Sequence, residues 1–192
     1  MSSEVRKGLV FIISAPAGTG KTTLVQRLVQ DFKNVKQSIS FTTRQPRPGE
    51  LDGIDYYFVS KEAFEAKVAK GDFLEHVELY GDYYGTSREW VENQQNEGNH
   101  VVLVIDTQGG LKLKDKIPAV YIFLEPPSLE ELKRRLLSRK TEQSQVIDKR
   151  LACVEREMEQ GKQYDYKIIN DQIEDAYQVL KSILIAEGHR CR

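Results

Sequence analysis

The chain has little of what would mark a secreted, metal-binding or membrane-bound protein. Its 192 residues include two cysteines, Cys153 and Cys191, far apart and without metal-ligand spacing or a catalytic partner nearby. That argues against a disulfide framework, and both are expected to be reduced thiols of a cytosolic protein. No stretch approaches the ~20 apolar residues a membrane-spanning helix needs, and the first seven residues carry no signal-type apolar run. An excess of one charge is missing too: 28 Lys and Arg stand against 29 Asp and Glu, a net charge of -1. Nothing global invites nucleic acid or a membrane surface, so any anion site must be local. There is no internal repeat and no low-complexity tract. The expectation is one soluble, cytoplasmic α/β domain with no nucleic-acid or membrane partner; oligomeric state is not legible.

What is present is one organising pattern. The apolar run Leu9-Val10-Phe11-Ile12-Ile13 is followed by Ser14-Ala15-Pro16-Ala17-Gly18-Thr19-Gly20-Lys21-Thr22-Thr23 and then by a helix-period segment. Strand, loop and helix in that order are the setting of a phosphate-binding P-loop. Gly18 and Gly20 permit a tight turn that aims successive N–H groups, and the following helix N-terminus, into one concavity. Lys21 adds positive charge for β- and γ-phosphates, and the Thr22 hydroxyl is placed for Mg2+. Ala15 replaces the first glycine of the pattern. An ordinary Gly-rich turn would leave Lys21-Thr22-Thr23 unexplained.

Leu24, Val25, Leu28, Val29 and Phe32 recur at helical spacing and predict an amphipathic helix to about Phe32. From 38 to 84, short alternating or aromatic runs (38–43, 56–59 and 73–80) are broken by prolines and glycines, which predicts a small β-rich insertion. Ser60 and Gly71 bracket one helix within it. Thr86-Ser87-Arg88-Glu89 reads as a capping box with Thr86 as N-cap. Residues 101–105 and 119–124 read as strands buried on both faces. Ser128-Leu129-Glu130-Glu131 opens a helix through Arg139, and a polar run, 140–145, separates it from a helix carrying Ile147, Leu151, Val154 and Met158. A short strand, 166–169, precedes a final amphipathic helix. Buried strands alternating with helices predict a parallel sheet flanked by helices.

Two further stretches carry chemistry. Arg44-Gln45-Pro46-Arg47-Pro48 sets two guanidinium groups on a proline-stiffened segment, suited to bidentate contact with phosphate; a solvated basic turn is the other reading. In Phe73-Leu74-Glu75-His76-Val77-Glu78-Leu79-Tyr80, alternation puts Glu75 on the apolar face, where an unsatisfied carboxylate costs roughly 1 to 3 kcal/mol. Guanine offers N1–H and N2–H side by side to such a group, and adenine does not. A strand-end Glu that turns to solvent is the alternative.

The loop at 14–23, Thr42-Thr43-Arg44-Gln45-Pro46-Arg47-Pro48-Gly49-Glu50, Asp55-Tyr56, Tyr83-Tyr84-Gly85-Thr86, Ile105-Asp106-Thr107-Gln108-Gly109 and the arginine-bearing segment 135–150 together resemble the guanylate kinase family, from residue 7 to 187. The resemblance implies a P-loop kinase fold with core segments 7–37, 97–134 and 160–187, a GMP-binding insertion at 38–96, a helical lid at 135–159 and a tail at 188–192. It implies transfer of the ATP γ-phosphoryl group to GMP, with dGMP a second acceptor and Mg2+ accompanying ATP, in purine nucleotide metabolism and GMP recycling.

Carried over by motif, Ala15, Pro16, Ala17, Gly18, Thr19, Gly20, Lys21, Thr22 and Thr23 would hold ATP, joined by Arg135 and Asn170. Ser40, Arg44, Arg47, Tyr56 and Tyr84 would grip the GMP phosphate, and Glu75 and Thr86 would read guanine. Lys21, Arg44, Arg139 and Arg150 would act on the transferring group. Asp106 faces GMP in the family but serves Mg2+ in a generic P-loop enzyme. Asn170 and Asp171 match the adenine-side loop, while Asp171 with Glu174 also reads as a helix cap. Val104 stands where the family commonly has a second acid, and Ala15, Ala17 and Phe41 also depart from its pattern. Two rivals remain: a catalytically silent guanylate-kinase-like protein-binding module, expected to have a degraded P-loop, and a P-loop kinase for another nucleoside monophosphate.

Overall fold

The computed structural model describes residues 6–138 and 144–191. In chain order its elements are β1 (Val10–Ser14), α1 (Lys21–Asp31), β2 (Val35–Gln37), β3 (Phe41–Thr42), β4 (Tyr57–Phe58), α2 (Lys61–Lys70), β5 (Phe73–Leu79) and β6 (Asp82–Ser87). There follow α3 (Arg88–Asn96), β7 (His100–Val104), α4 (Thr107–Leu113), β8 (Val120–Glu125), α5 (Leu129–Ser138), α6 (Ser144–Gly161), β9 (Tyr166–Ile169) and α7 (Ile173–Gly188).

A five-stranded sheet runs β2-β7-β1-β8-β9, with every neighbouring pair parallel. Its central strands are apolar on both faces because helices cover both. Phe11 and Ile13 pack with Leu24, Val25 and Leu28 of α1 and with Tyr177, Leu180 and Leu184 of α7. On the other face Val10 and Ile12 meet Val91 of α3, Leu113 of α4 and Tyr164. A smaller cluster joins Leu132 and Leu136 of α5 to Val154 of α6, with Ala17 of the loop after β1 against it. The parallel register carries β1 and β7 forward together, so the loops at their C-terminal ends open on one edge, the usual place for a ligand in such sheets.

A second sheet, β4-β3-β6-β5, is mixed: β3 and β4 are parallel, and β6 is antiparallel to both β3 and β5. Tyr80 and Gly81 link β5 to β6, both at positive φ (56° and 90°), as a tight hairpin turn requires. Along β5 the alternation is as expected, with Phe73, Glu75 and Val77 buried and His76 and Glu78 exposed.

Three elements differ from the sequence expectation by being present at all: β2, β6 and α4. Two caps are corrected. The N-cap of α3 is Ser87, whose Oγ accepts from the Trp90 N–H, because the Thr86 hydroxyl is engaged by Glu75 instead. The N-cap of α7 is Gln172, with no side-chain capping bond, so Asp171 does not cap that helix. Arg139 lies outside the described residues, and of Arg150 only its place within α6 is described.

One buried group stands apart from any site. The Tyr121 hydroxyl is buried with no hydrogen-bond partner among the described residues, and burial pushes its pKa up to about 12. Tyr121→Phe removes an unsatisfied polar atom at nearly constant volume. It is expected to raise stability by about 1 kcal/mol, which calorimetry would read as a melting point higher by roughly 2 to 4 °C.

Candidate active site

Between the edge of the main sheet and the second sheet lies a cleft of about 540 Å³. One wall is the loop after β1. Gly18 and Gly20 adopt φ of 88° and 94°, a left-handed backbone that glycine enters without steric cost. Gly20 is the N-cap of α1, and no acidic side chain of the helix's own first turn offsets its N-terminal amides and dipole. Thr19 ties the turn together, its hydroxyl donating to the Pro16 carbonyl at 2.7 Å. Lys21 Nζ donates to the Ala15 carbonyl at 2.6 Å, and Thr22 and Thr23 stand exposed on the first turn of α1. All nine residues from Ala15 to Thr23 line the cleft.

The opposite wall brings together Ser40, Arg44, Arg47, Tyr56, Glu75 and Tyr84. Arg44 is held by Glu50, one Nη donating to both carboxylate oxygens at 2.9 Å, while the other donates to the Gln45 carbonyl at 2.7 Å. Burial disfavours its charge, but Glu50 and Tyr84 together outweigh that and raise the guanidinium pKa. The same carboxylate accepts the Arg47 N–H at 2.8 Å. Glu50 is thus the brace of the arginine pair, a role that sequence reasoning missed; the Arg-x-x-Arg-x-x-Glu spacing was its only signal. The Arg44 guanidinium lies 5.3 Å from the centre of the Tyr56 ring, and the Tyr56 and Tyr84 rings meet edge-on at 6.0 Å.

Glu75 is 6% exposed. Its Oε1 accepts the Thr86 hydroxyl at 2.7 Å, and its Oε2 has no hydrogen-bond partner among the described residues. Burial pushes its carboxyl up to about 7, opposed by the Thr86 hydroxyl, reinforced by the Asp106 carboxylate and opposed by Lys112. Gly109 of α4 gives the group room, since a Cβ there would sit 2.9 Å from Oε2. Asp106 lines the cleft as N-cap of α4, accepting the Gly109 N–H at 2.9 Å. Val104 and Glu157 of α6 also line it; Glu157 was not foreseen, because a charged residue on an amphipathic helix carries no signal of which space it faces.

Thr86 is fully buried behind Glu75 rather than in the cleft. Asn170 and Arg135 stand behind the phosphate loop. Asn170 Nδ2 donates to the Thr19 carbonyl at 2.6 Å, and Arg135 donates to the Asn170 and Asp171 carbonyls at 2.9 and 3.3 Å while paired with Glu131. Among the described residues no group of three or more His, Cys, Asp or Glu side chains could hold a metal ion. The Thr22 hydroxyl and the Asp106 carboxylate, both on the cleft, fit a Mg2+ that arrives with nucleotide phosphates and needs only one or two protein ligands.

A parallel sheet whose first strand runs into this loop, opening on a cleft with cationic and carboxylate walls, defines a P-loop kinase. The guanylate kinase family model matches residues 7–187. Guanylate kinase of Protochlamydia amoebophila (strain UWE25) is 63% identical over 190 residues, covering 99% of this chain and 96% of that protein. That of Chlamydia felis is 50% identical, covering 94% and 89%. A crystal structure of guanylate kinase from Anaplasma phagocytophilum superposes with a TM-score of 0.80 at 35% identity, over 96% of this chain and 88% of that one. A shikimate kinase structure from Bacteroides thetaiotaomicron, 17% identical with a TM-score of 0.50 over 92% of this chain and 98% of that one, shares the fold. The chain belongs to the guanylate kinase family.

Proposed function

We propose that this protein transfers the γ-phosphoryl group of ATP to the phosphate of GMP, giving ADP and GDP, with dGMP as a second acceptor. The observation that carries this reading is the unpaired buried oxygen of Glu75, set in the same cleft as the phosphate loop. Once ionised, that carboxylate matches the adjacent N1–H and N2–H of guanine. AMP would leave it desolvated and unpaired, which is how a site built for hydrogen bonding rejects the wrong ligand.

The acceptor requires no catalytic base, because a phosphate monoester has its second pKa near ~6 and is already dianionic at neutral pH. Catalysis then reduces to alignment and charge neutralisation. Loop amides and Lys21 hold the donor phosphates. Arg44 and Arg47, with Ser40, Tyr56 and Tyr84, hold the acceptor phosphate, and Thr86 orients Glu75. Mg2+, held by Thr22 and the phosphates, would supply charge neutralisation between donor oxygens; Asp106 faces GMP or that ion. Arg135, Arg139 and Arg150 would close over the ATP phosphates from a lid at 135–159, with Asn170 beside the adenine, assignments supported by family resemblance. The insertion at 38–96 forms the acceptor side, and closure of both parts keeps water from the γ-phosphate. The working compartment is the cytoplasm, where the reaction recycles GMP.

A coupled ADP-release assay with GMP, dGMP, AMP, UMP and CMP tests the reading. GMP should exceed AMP by at least ~10²-fold in kcat/KM. Highest activity with AMP would overturn the base assignment, and no activity with any of them would favour a protein-binding module.

A further inference from the structure

Tyr164 does not line the cleft and has no part in the transfer as described. It follows the C-terminal end of α6, and its hydroxyl donates to the Ser14 Oγ at 2.8 Å, both side chains being buried. Ser14 ends β1, and the next residue, Ala15, presents the carbonyl that engages Lys21. The contact depends on Gly110 of α4, where a Cβ would sit 2.0 Å from the Tyr164 oxygen.

The segment carrying Tyr164 is itself held on several sides. The Thr107 hydroxyl donates to the Gln160 side-chain oxygen at 2.6 Å. Gly161 abuts the Phe123 ring so closely that a Cβ would come within 2.5 Å of it. The Tyr121 N–H donates to Asp165 Oδ2 at 2.8 Å, and the Asp165 N–H returns a bond to the Tyr121 carbonyl at 3.0 Å. Tyr164 therefore reaches Ser14 from a fixed base, across 150 residues of chain.

We propose that Tyr164 is a positioning residue for the phosphate loop, its hydroxyl fixing the Ser14–Ala15 junction from which Lys21 and the loop amides are aimed at donor phosphates. The proposal rests on the assignment of that loop to ATP. Loss of the bond lets the root of the loop sample other orientations, which weakens donor contacts and leaves the acceptor wall, built on the second sheet, untouched.

Tyr164→Phe, Ser14→Ala and the double variant separate this role from packing. Each single change leaves one buried polar atom unpaired and lowers the melting temperature; the double change removes both atoms and restores most of it. In all three variants KM for ATP should rise, or kcat should fall, by about fivefold, the scale of one ordinary hydrogen bond. KM for GMP should stay within about twofold of wild type. Unchanged ATP kinetics in Tyr164→Phe, or recovery of ATP kinetics along with melting temperature in the double variant, would overturn the proposal. Wild-type transfer from ATP to GMP, measured alongside, reports separately on the functional reading.

Discussion

Lys21→Met is expected to lower turnover by at least ~10²-fold with little change in melting temperature. Lys21 lines the cleft, and its ammonium already lies against the Ala15 carbonyl at 2.6 Å at the root of the loop. Methionine keeps the unbranched apolar stem and deletes only the charge and its donors. Transition-state stabilisation of the transferring phosphoryl group is then lost, and removing a comparable preorganised donor costs 10²- to 10³-fold. Steady-state kinetics with circular dichroism as a folding control check this. Unchanged turnover would refute the donor-side assignment.

Glu75→Gln is expected to lower kcat/KM for GMP by roughly 10²- to 10³-fold, because two hydrogen bonds to a desolvated charge are replaced by one acceptor and one opposed donor. The same residue sets a pH dependence. With its carboxyl raised to about 7 from an ordinary 4.5, Glu75 is largely protonated in the free protein below neutrality, and guanine binding requires the ionised form. GMP affinity should therefore climb with pH and level off above about 7. The acceptor phosphate ionises near ~6 and adds its own slope, so the Glu75 contribution is the difference between the wild-type and Glu75→Gln profiles. Stability runs the other way. Between 4.5 and about 7 the folded state retains a proton that the unfolded state has released, so this group's stabilisation is lost as pH rises through that window. Superimposable profiles for the two proteins would remove Glu75 from guanine recognition.

The parts of the fold legible from sequence were those with sustained periodicity. The central strands are continuous apolar runs and the long helices keep a 3.6-residue stripe, so both were read directly. The missing elements lacked such a signal for physical reasons. The strand β2 is three residues at a sheet edge. Sheet pairing, rather than apolar alternation, makes β6 a strand, since its sequence is Asp-Tyr-Tyr-Gly-Thr-Ser. Helix α4 carries Gly109 and Gly110, which lower helix propensity by ~1 kcal/mol each, yet a Cβ at either would collide with Glu75 or Tyr164. The misplaced α3 cap has a similar origin: Thr86 obeys the capping pattern locally, but a buried carboxylate 11 residues away claims its hydroxyl.

The cleft-lining residues of the phosphate loop, together with Ser40, Arg44, Arg47, Tyr56, Glu75, Tyr84 and Asp106, were legible because they lie in compact motifs, whereas Glu157 of α6 was not. What held them was less so. Glu50 sits six residues from Arg44 and could be suspected from spacing. The ties from Asn170 to Thr19 and from Tyr164 to Ser14 span 151 and 150 residues and exist only once the sheet has assembled.

The most direct test of a shared cleft for two nucleotides is a crystal structure with GMP and a non-hydrolysable ATP analogue bound together. Guanine should lie on Glu75, the GMP phosphate on Arg44 and Arg47, and the donor phosphates on the amides of residues 18–22. GMP lodged elsewhere, with Arg44 and Arg47 directed into bulk solvent, would contradict it.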